Sequence, residues 1–347
     1  MALQDAYILV TGGAGYIGSH TLVTLMEKGF RHLISLDNYS TSRPDSYALV
    51  EKITGSRPVV VEGAVGDRAL IRHLMDTYKP AGVIHFAAWK AVGESMEKPF
   101  LYLENNISQM QVFLEEVYRQ HKPVFIFSSS CTVYGEVQQL PVDETTPRRP
   151  ANSVYGLTKQ MGEDLLEGLC RMGFTGPVVA LRYFNPVGAY PDGTLGEWPI
   201  GKPNNLLPII CQTAAGRLQE LTIHGQDYPT RDGTCIRDYV HVMDIAEAHV
   251  LALEYATKAA SDRMEIFNLG TGSGVSVLEA VHAFEAANGI KLPWRMGPRR
   301  PGDVTAVYSN SRKAAEILSW KPRYTLHDMM RSAWLWQQYL ENQKLPL

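Results

Sequence analysis

The chain runs from a strand straight into a glycine turn. Tyr7-Ile8-Leu9-Val10 is a short apolar run suited to a buried parallel strand. Thr11-Gly12-Gly13-Ala14-Gly15-Tyr16-Ile17-Gly18 follows, and Tyr16 to Phe30 reads as a helix. Gly12, Gly15 and Gly18 let the backbone turn tightly and approach a pyrophosphate. They also bring a helix N-terminus, with its unpaired N–H groups, up to the anion. Asp37 stands at the tip of the next strand, about 20 residues on, where a carboxylate accepts ribose hydroxyls and repels a 2′-phosphate. The layout predicts a dinucleotide site and favours NAD over NADP. A ligand-free turn would explain one glycine, but not three at three-residue intervals with a placed acid.

Beyond the turn, apolar runs alternate with helical stretches as far as Tyr183. Val59 to Val61, Gly82 to Phe86, Pro123 to Phe127 and Pro177 to Tyr183 read as strands. Asp67 to Tyr78, Pro99 to His121 and Tyr155 to Met172 read as the helices between them. This rhythm predicts an α/β fold, a Rossmann-type doubly wound parallel sheet with its ligand crevice at the carboxyl ends of the strands. From Pro186 to Asn205 the chain turns rich in Pro and Gly, which marks the start of a smaller C-terminal substrate-binding lobe. The expected division is 1–185 and 186–347, with 242–270 able to rejoin the first part. Leu326 to Leu340 has amphipathic helical spacing, and its Trp334 and Trp336 read as packing residues.

Composition narrows the function classes. With 33 basic and 36 acidic residues the formal net charge is -3, and no Lys/Arg-rich block offers a footprint for nucleic acid. Cys131, Cys170, Cys211 and Cys235 lie far apart with no CxxC pair, so neither a disulfide framework nor a metal site is indicated. No apolar run approaches the roughly 18 residues of a membrane span. A soluble cytoplasmic enzyme is the expectation.

The chemistry concentrates in Phe127-Ser128-Ser129-Ser130-Cys131-Thr132-Val133-Tyr134-Gly135 and in Tyr155-Gly156-Leu157-Thr158-Lys159. Serines at a strand end put hydroxyls on the ligand rim of a parallel sheet. The four-residue spacing sets Tyr155 and Lys159 on one helix face. A cation beside a phenol stabilises phenolate and lowers its pKa from about 10, as would the positive nicotinamide of NAD. Tyr155 is thus a candidate general base. Tyr118 and Lys122 share the spacing but follow no serine strand, so context decides for Tyr155.

With these elements placed, the chain resembles the extended short-chain dehydrogenase/reductase superfamily and, within it, the UDP-galactose (UDP-glucose) 4-epimerase family. The resemblance runs from Tyr7 to about Trp336. It also rests on His85-Phe86-Ala87-Ala88-Trp89-Lys90-Ala91-Val92-Gly93-Glu94-Ser95, Arg182-Tyr183-Phe184-Asn185-Pro186-Val187-Gly188 and Pro203-Asn204-Asn205-Leu206. Further on come Gly233-Thr234-Cys235-Ile236-Arg237-Asp238-Tyr239-Val240-His241-Val242 and Arg300-Pro301-Gly302-Asp303.

The resemblance implies that Tyr155 is the base and acid at the sugar 4-hydroxyl, with Ser130 bonding that oxygen and Lys159 holding the nicotinamide ribose. Cofactor contacts are implied for Gly12, Gly15, Tyr16, Ile17, Gly18, Asp37, Asn38, Val65, Phe86, Ala87, Lys90, Asn105, Ser128 and Tyr183. The UDP-sugar would be held by Lys90, Phe184, Asn185, Asn204, Asn205 and Leu206, with Thr222, Ile223 and His224 flanking uracil. Arg237, Arg300 and Asp303 would fix the diphosphate and ribose, a role for which guanidinium's bidentate donors suit. Val307 falls where the family walls the pocket beside the sugar 2-substituent, and its small size predicts room for an N-acetyl group. The implied reaction passes through a transient 4-keto sugar and NADH, and the implied assembly is a homodimer through 99–121 and 155–172.

The chain also departs from the family. Ala64-Val65 stands where an Asp and an apolar residue usually hold adenine, with Asp67 a few residues along. Ala88 and Trp89 replace the common Gly and Leu. Two other readings compete. A nucleotide-sugar 4,6-dehydratase needs carboxylates directly after the catalytic Ser, where this chain has Cys131-Thr132. A non-catalytic NAD(H)-binding regulator would have no reason to keep Ser130, Tyr155 and Lys159 together.

Overall fold

Apart from the half-exposed edge strand at Val59–Glu62, strands largely buried on both faces make the central sheet, which is why their sequences are near-continuous apolar runs rather than alternating ones. The computed structural model describes residues 2–201, 203–258, 263–300 and 302–345. The glycine turn joins β1 (Tyr7–Thr11) to α1 (Tyr16–Glu27), followed by β2 (His32–Asp37), α2 (Ser46–Thr54), β3 (Val59–Glu62) and α3 (Arg68–Tyr78). Then come β4 (Gly82–His85), α4 (Val92–Glu97), α5 (Pro99–Leu103), α6 (Gln109–Val117), β5 (Val124–Ser130), α7 (Val154–Arg171) and β6 (Val178–Tyr183).

The remainder holds β7 (Asn185–Val187), α8 (Leu206–Ala214), β8 (Leu221–His224), β9 (Ile236–Arg237), β10 (Tyr239–His241), α9 (Val242–Ala256) and β11 (Glu265–Leu269). It closes with β12 (Val275–Ser276), α10 (Val277–Asn288), β13 (Trp294–Gly297), β14 (Ala306–Val307), α11 (Arg312–Ile317) and α12 (Leu326–Asn342).

The main sheet has the order β3-β2-β1-β4-β5-β6-β11, parallel throughout. The chain winds outward from β1 to β3, then returns to β1's other side. The chain therefore leaves the carboxyl ends of β1 and β4 in opposite directions, and that switch point is where an open parallel sheet binds its ligand. Alternate residues of β1 face opposite layers. Ile8 and Val10 pack among α1 and α9 residues, while Leu9 joins Ile34, Val83 and Phe113 on the other side. Helix α9 covers the sheet, and β11 extends its edge beside β6. A further apolar cluster links Leu207, Ile210, Leu221, Ile223, Phe284 and Met329, from α8, β8, α10 and α12.

Two expected elements have other bounds, and a third was not foreseen. The helix anticipated over Pro99 to His121 is α5 and α6 joined by a π-turn at Glu104–Ser108, and it ends at Val117. The widened turn coincides with a tertiary demand: Asn106 bonds both backbone groups of Trp89 and the Thr158 hydroxyl. Periodicity cannot register such a bond. The strand read over Pro123 to Phe127 runs on to Ser130, so the three serines are the end of β5, paired with Leu181, Arg182 and Tyr183 of β6. Helix α2, finally, had no counterpart in the sequence reading.

Candidate active site

Each glycine of the first turn has its own geometric reason. Gly12 sits at φ +74°, and a Cβ there would lie 2.9 Å from the Ala87 nitrogen. At Gly18 a Cβ would lie 2.2 Å from the Gly12 carbonyl oxygen, so α1 can start only if that position is bare. Gly15 differs: its Cβ would meet only the Gly12 oxygen, at 3.2 Å. The protein leaves that side open, as a cradle for a pyrophosphate requires. Ile17 packs against the core from the same helix start.

Asp37 has a second task beyond the one its position suggested. Its Oδ2 accepts from Ala14 N–H at 3.0 Å, which pins the turn. Its Oδ1 accepts from Tyr39 N–H at 2.9 Å and from the Ser42 hydroxyl at 2.7 Å. A carboxylate has about four acceptor sites, so little capacity is left for a second ribose hydroxyl. Next to it, exposed Asn38 accepts from Ser40 N–H. Of the two residues expected to face adenine, Val65 is buried and Ala64 half-buried. Asp67 caps α3 by accepting from Leu70 N–H at 3.1 Å, which commits it to the helix.

Helix α7 brings the two residues of the Tyr-Lys pair to the serine strand. Ser153 caps it by accepting from Gly156 N–H, and Gly162 lets it lie close, because a Cβ there would stand 2.7 Å from the Phe127 ring. Lys159 is buried, with Nζ donating to the Ser128 carbonyl at 2.6 Å and lying 5.8 Å from the Tyr155 ring centre. Burial pulls the ammonium down to about 8, against the pull of Glu163 one turn later. The Tyr155 phenol is pushed up to about 12 by burial, partly offset by the Ser130 hydroxyl. The sequence expectation of a phenol already lowered by Lys159 is thus not met by these residues alone, because desolvation opposes phenolate.

Below this trio runs support that the sequence reading missed. Glu163 accepts from Ser129 at 2.6 Å and from Arg182 through two nitrogens at 2.8 and 2.6 Å, all buried. Ser128 and Tyr183 share a hydrogen bond between their hydroxyls, and Tyr155 N–H donates to Ser95 at 3.1 Å. A charge pair between β6 and α7, joined by a serine of β5, was unreadable from spacing.

Around the mouth, Tyr16 donates to the Gly188 carbonyl at 2.6 Å. Lys90 pairs with Glu197 at 2.8 Å, and Asn205 donates to the same carboxylate at 2.6 Å. Glu197 was another omission. Phe86 lies beside His249, Ala87 N–H reaches the Thr11 hydroxyl, and Asn105 sits on the π-turn. Leu206 begins α8 beside exposed Asn204.

On the far wall Asp303 accepts from Arg237 at 3.3 Å and from Arg300 at 3.0 Å, leaving one net positive charge. Pro301 of that run lies outside the described residues. The Asn185 amide oxygen is buried without a hydrogen-bond partner among the described residues. Thr222 and His224 share the outward face of β8, but Ile223 is fully buried in the core beneath, so its side chain cannot flank a base. Phe184 and Val307 meet in one apolar cluster with Val133, Tyr134 and Val142.

A glycine turn at the sheet's switch point, together with a Ser-Tyr-Lys trio on β5 and α7, defines the extended short-chain dehydrogenase/reductase class. A family model described as GDP-mannose 4,6 dehydratase matches residues 9–333. The UDP-glucose 4-epimerase of Erwinia amylovora is 46% identical, covering 95% of this chain and 97% of its own. The structure of UDP-glucose 4-epimerase from Bifidobacterium longum in complex with NAD+ and UDP superposes with a TM-score of 0.93 at 42% identity. That match covers 97% of this chain and 99% of the other. The UDP-Glc/GlcNAc 4-epimerase from Campylobacter jejuni gives a TM-score of 0.81 at 35% identity, covering 96% of this chain and all (100%) of the other. The chain belongs to the UDP-glucose 4-epimerase family.

Proposed function

We propose that this chain is an NAD-dependent 4-epimerase that interconverts UDP-glucose and UDP-galactose. The observation that carries the reading is the meeting of Ser130, Tyr155 and Lys159 at the carboxyl ends of the strands, beside a glycine turn. NAD, when bound, supplies the acceptor and donor of hydride at the sugar C4. Tyr155 takes the 4-hydroxyl proton and, after the sugar has turned so that hydride would return to the opposite face of C4, gives it back to the keto oxygen, which Ser130 holds. Lys159 orients the nicotinamide ribose. Arg237 and Arg300 grip the diphosphate, and the sugar turns about that anchor. The two halves that divide this work are 1–185, with 242–270, and 186–347.

Gly12, Gly15, Gly18 and Asp37 form the cradle for NAD. The site's own phenol is held near 12, so the positive nicotinamide is the charge that brings it into range. Elimination of water in the manner of a 4,6-dehydratase lacks its acid: Cys131 and Thr132 follow Ser130, and burial pushes the Cys131 thiol up to about 12.

Val307, small and next to Phe184, supports acceptance of UDP-N-acetylglucosamine and UDP-N-acetylgalactosamine as well. The assembly is a homodimer: Phe100 is 82% exposed, and Met96, Leu101, Leu157 and Met161 present further apolar surface on α4, α5 and α7. Four free thiols fit a reducing compartment such as the cytoplasm. No helix among the described residues is long and apolar enough to cross a membrane.

The test is to incubate NAD-loaded protein with UDP-galactose and no reductant, following UDP-glucose. Its appearance is expected. Consumption without UDP-glucose, or no turnover by loaded protein, would overturn the assignment.

A further inference from the structure

Resting on the dinucleotide reading, a contact above the glycine turn gains a function. The Trp89 indole N–H donates to the Ser40 hydroxyl at 3.2 Å. Trp89 follows β4 and Ser40 follows β2, yet the sheet order is β4-β1-β2. Neighbouring strands lie about 4.8 Å apart, so β2 and β4 are separated by roughly twice that, with the end of β1 between them. A bond joining their loops must pass over the turn at Gly12–Gly15, across the place where a pyrophosphate would lie.

Both sides of the bridge are rooted. Asn106 accepts from Trp89 N–H at 2.9 Å and donates to its carbonyl at 3.0 Å, and the indole meets the Tyr102 ring edge-on at 5.5 Å. On the other side, Asp37 holds Tyr39 and Ser42, and Tyr39 takes a left-handed φ of +55° that aims the loop. Three residues past Ser40, the Arg43 guanidinium stacks over Trp198 at 5.2 Å. Its Nε–H is buried with no hydrogen-bond partner among the described residues, a donor left for an anion.

We propose that Trp89 and Ser40 form a latch across the dinucleotide crevice that slows release of the cofactor, with Arg43 held beside it as a donor to the bound anion. An epimerase returns its cofactor to the starting oxidation state in every cycle, so turnover never requires release. A latch also offsets the adenine carboxylate that Ala64 omits. Trp89 and Ser40 are positioning residues; neither takes part in proton transfer.

The test uses holoenzyme loaded with isotopically labelled NAD and chased with unlabelled NAD. Trp89→Phe keeps a ring but loses the N–H, and Ser40→Ala removes one exposed hydroxyl. Each should speed label loss by about three- to tenfold, the effect of one net hydrogen bond. The double variant should release no faster than the singles, because both remove the same bond. The melting temperature of NAD-free protein should not move. Unchanged release from Ser40→Ala, or rate effects that multiply in the double variant, would overturn the latch. If Trp89→Phe fails to fold, Ser40→Ala decides alone. Wild-type protein that binds no NAD at all would overturn the dinucleotide reading and the latch together, whereas unaltered release from a loaded enzyme sinks only the latch.

Discussion

Lys159 stands one helical turn from Tyr155, yet its ammonium donates to the carbonyl of Ser128, 2.6 Å away. The lysine is fixed to the serine strand and reaches the phenol only through space. On the proposed mechanism Tyr155 then depends on charge brought in by the cofactor, while Lys159 is held in place by the strand.

Tyr155→Phe should fold and retain NAD, since only one hydroxyl is lost. Turnover of UDP-galactose should fall by about 10²–10⁴, the usual worth of a placed general base. Parallel measurements of bound NAD and initial rate check this, and wild-type turnover would exclude Tyr155 as the base.

Lys159→Met removes a cation near the phenol. Phenolate is then less stable, so the phenol pKa rises and the acid limb of the pH–rate profile moves to higher pH. NAD retention should also drop, because the ribose donor is gone. A profile that stays in place while retention falls would assign Lys159 to binding alone.

Ala64→Asp offers the adenine amino group an acceptor that this chain lacks. A hydrogen bond to a charged group contributes about 1.5–3 kcal/mol, so NAD dissociation should slow at least tenfold. The variant should be compared with Asp67→Ala, which should leave dissociation unchanged and lower thermal stability through loss of the α3 cap. Faster dissociation from Asp67→Ala would return the adenine role to Asp67.

Val307→Tyr should abolish turnover of the N-acetylated pair and spare UDP-glucose and UDP-galactose. Val307 is buried against Phe184 and Tyr134, and added volume inside that cluster would cost about 1–3 kcal/mol. A melting temperature near wild type would mean that the phenol has entered the sugar pocket instead. No turnover of N-acetylated substrates by wild-type protein would end this part of the proposal.

The protein should lose stability steeply in mild acid. Burial pulls His20 and His249 down to about 4, and His85 and His241 down to about 3. Between those values and about 6.5 the unfolded chain takes up protons that the folded chain refuses, so stability present above 6.5 is lost as pH falls. Asp244, raised to about 6 by burial, opposes this by one proton in the same range. Three net protons correspond to about 4 kcal/mol per pH unit in the middle of the window. Denaturant midpoints between pH 7 and pH 4.5 check the slope; a flat profile would mean that these histidines titrate freely.

The sequence alone determined the strand-helix rhythm, the glycine turn, the acid at the end of β2 and the Ser, Tyr and Lys of the site. Each of these is written in local spacing, because a turn, a helix face or an apolar strand needs only neighbouring residues. Tertiary structure decided what joins distant segments. It set Glu163 beneath the serines with Arg182, gave Lys90 and Asn205 a shared partner in Glu197, and carried Trp89 over the turn to Ser40. It also turned Ile223 into the core and opened a π-turn at Glu104–Ser108. Those bonds span up to 107 residues of chain, and no periodicity records a partner that lies on another strand.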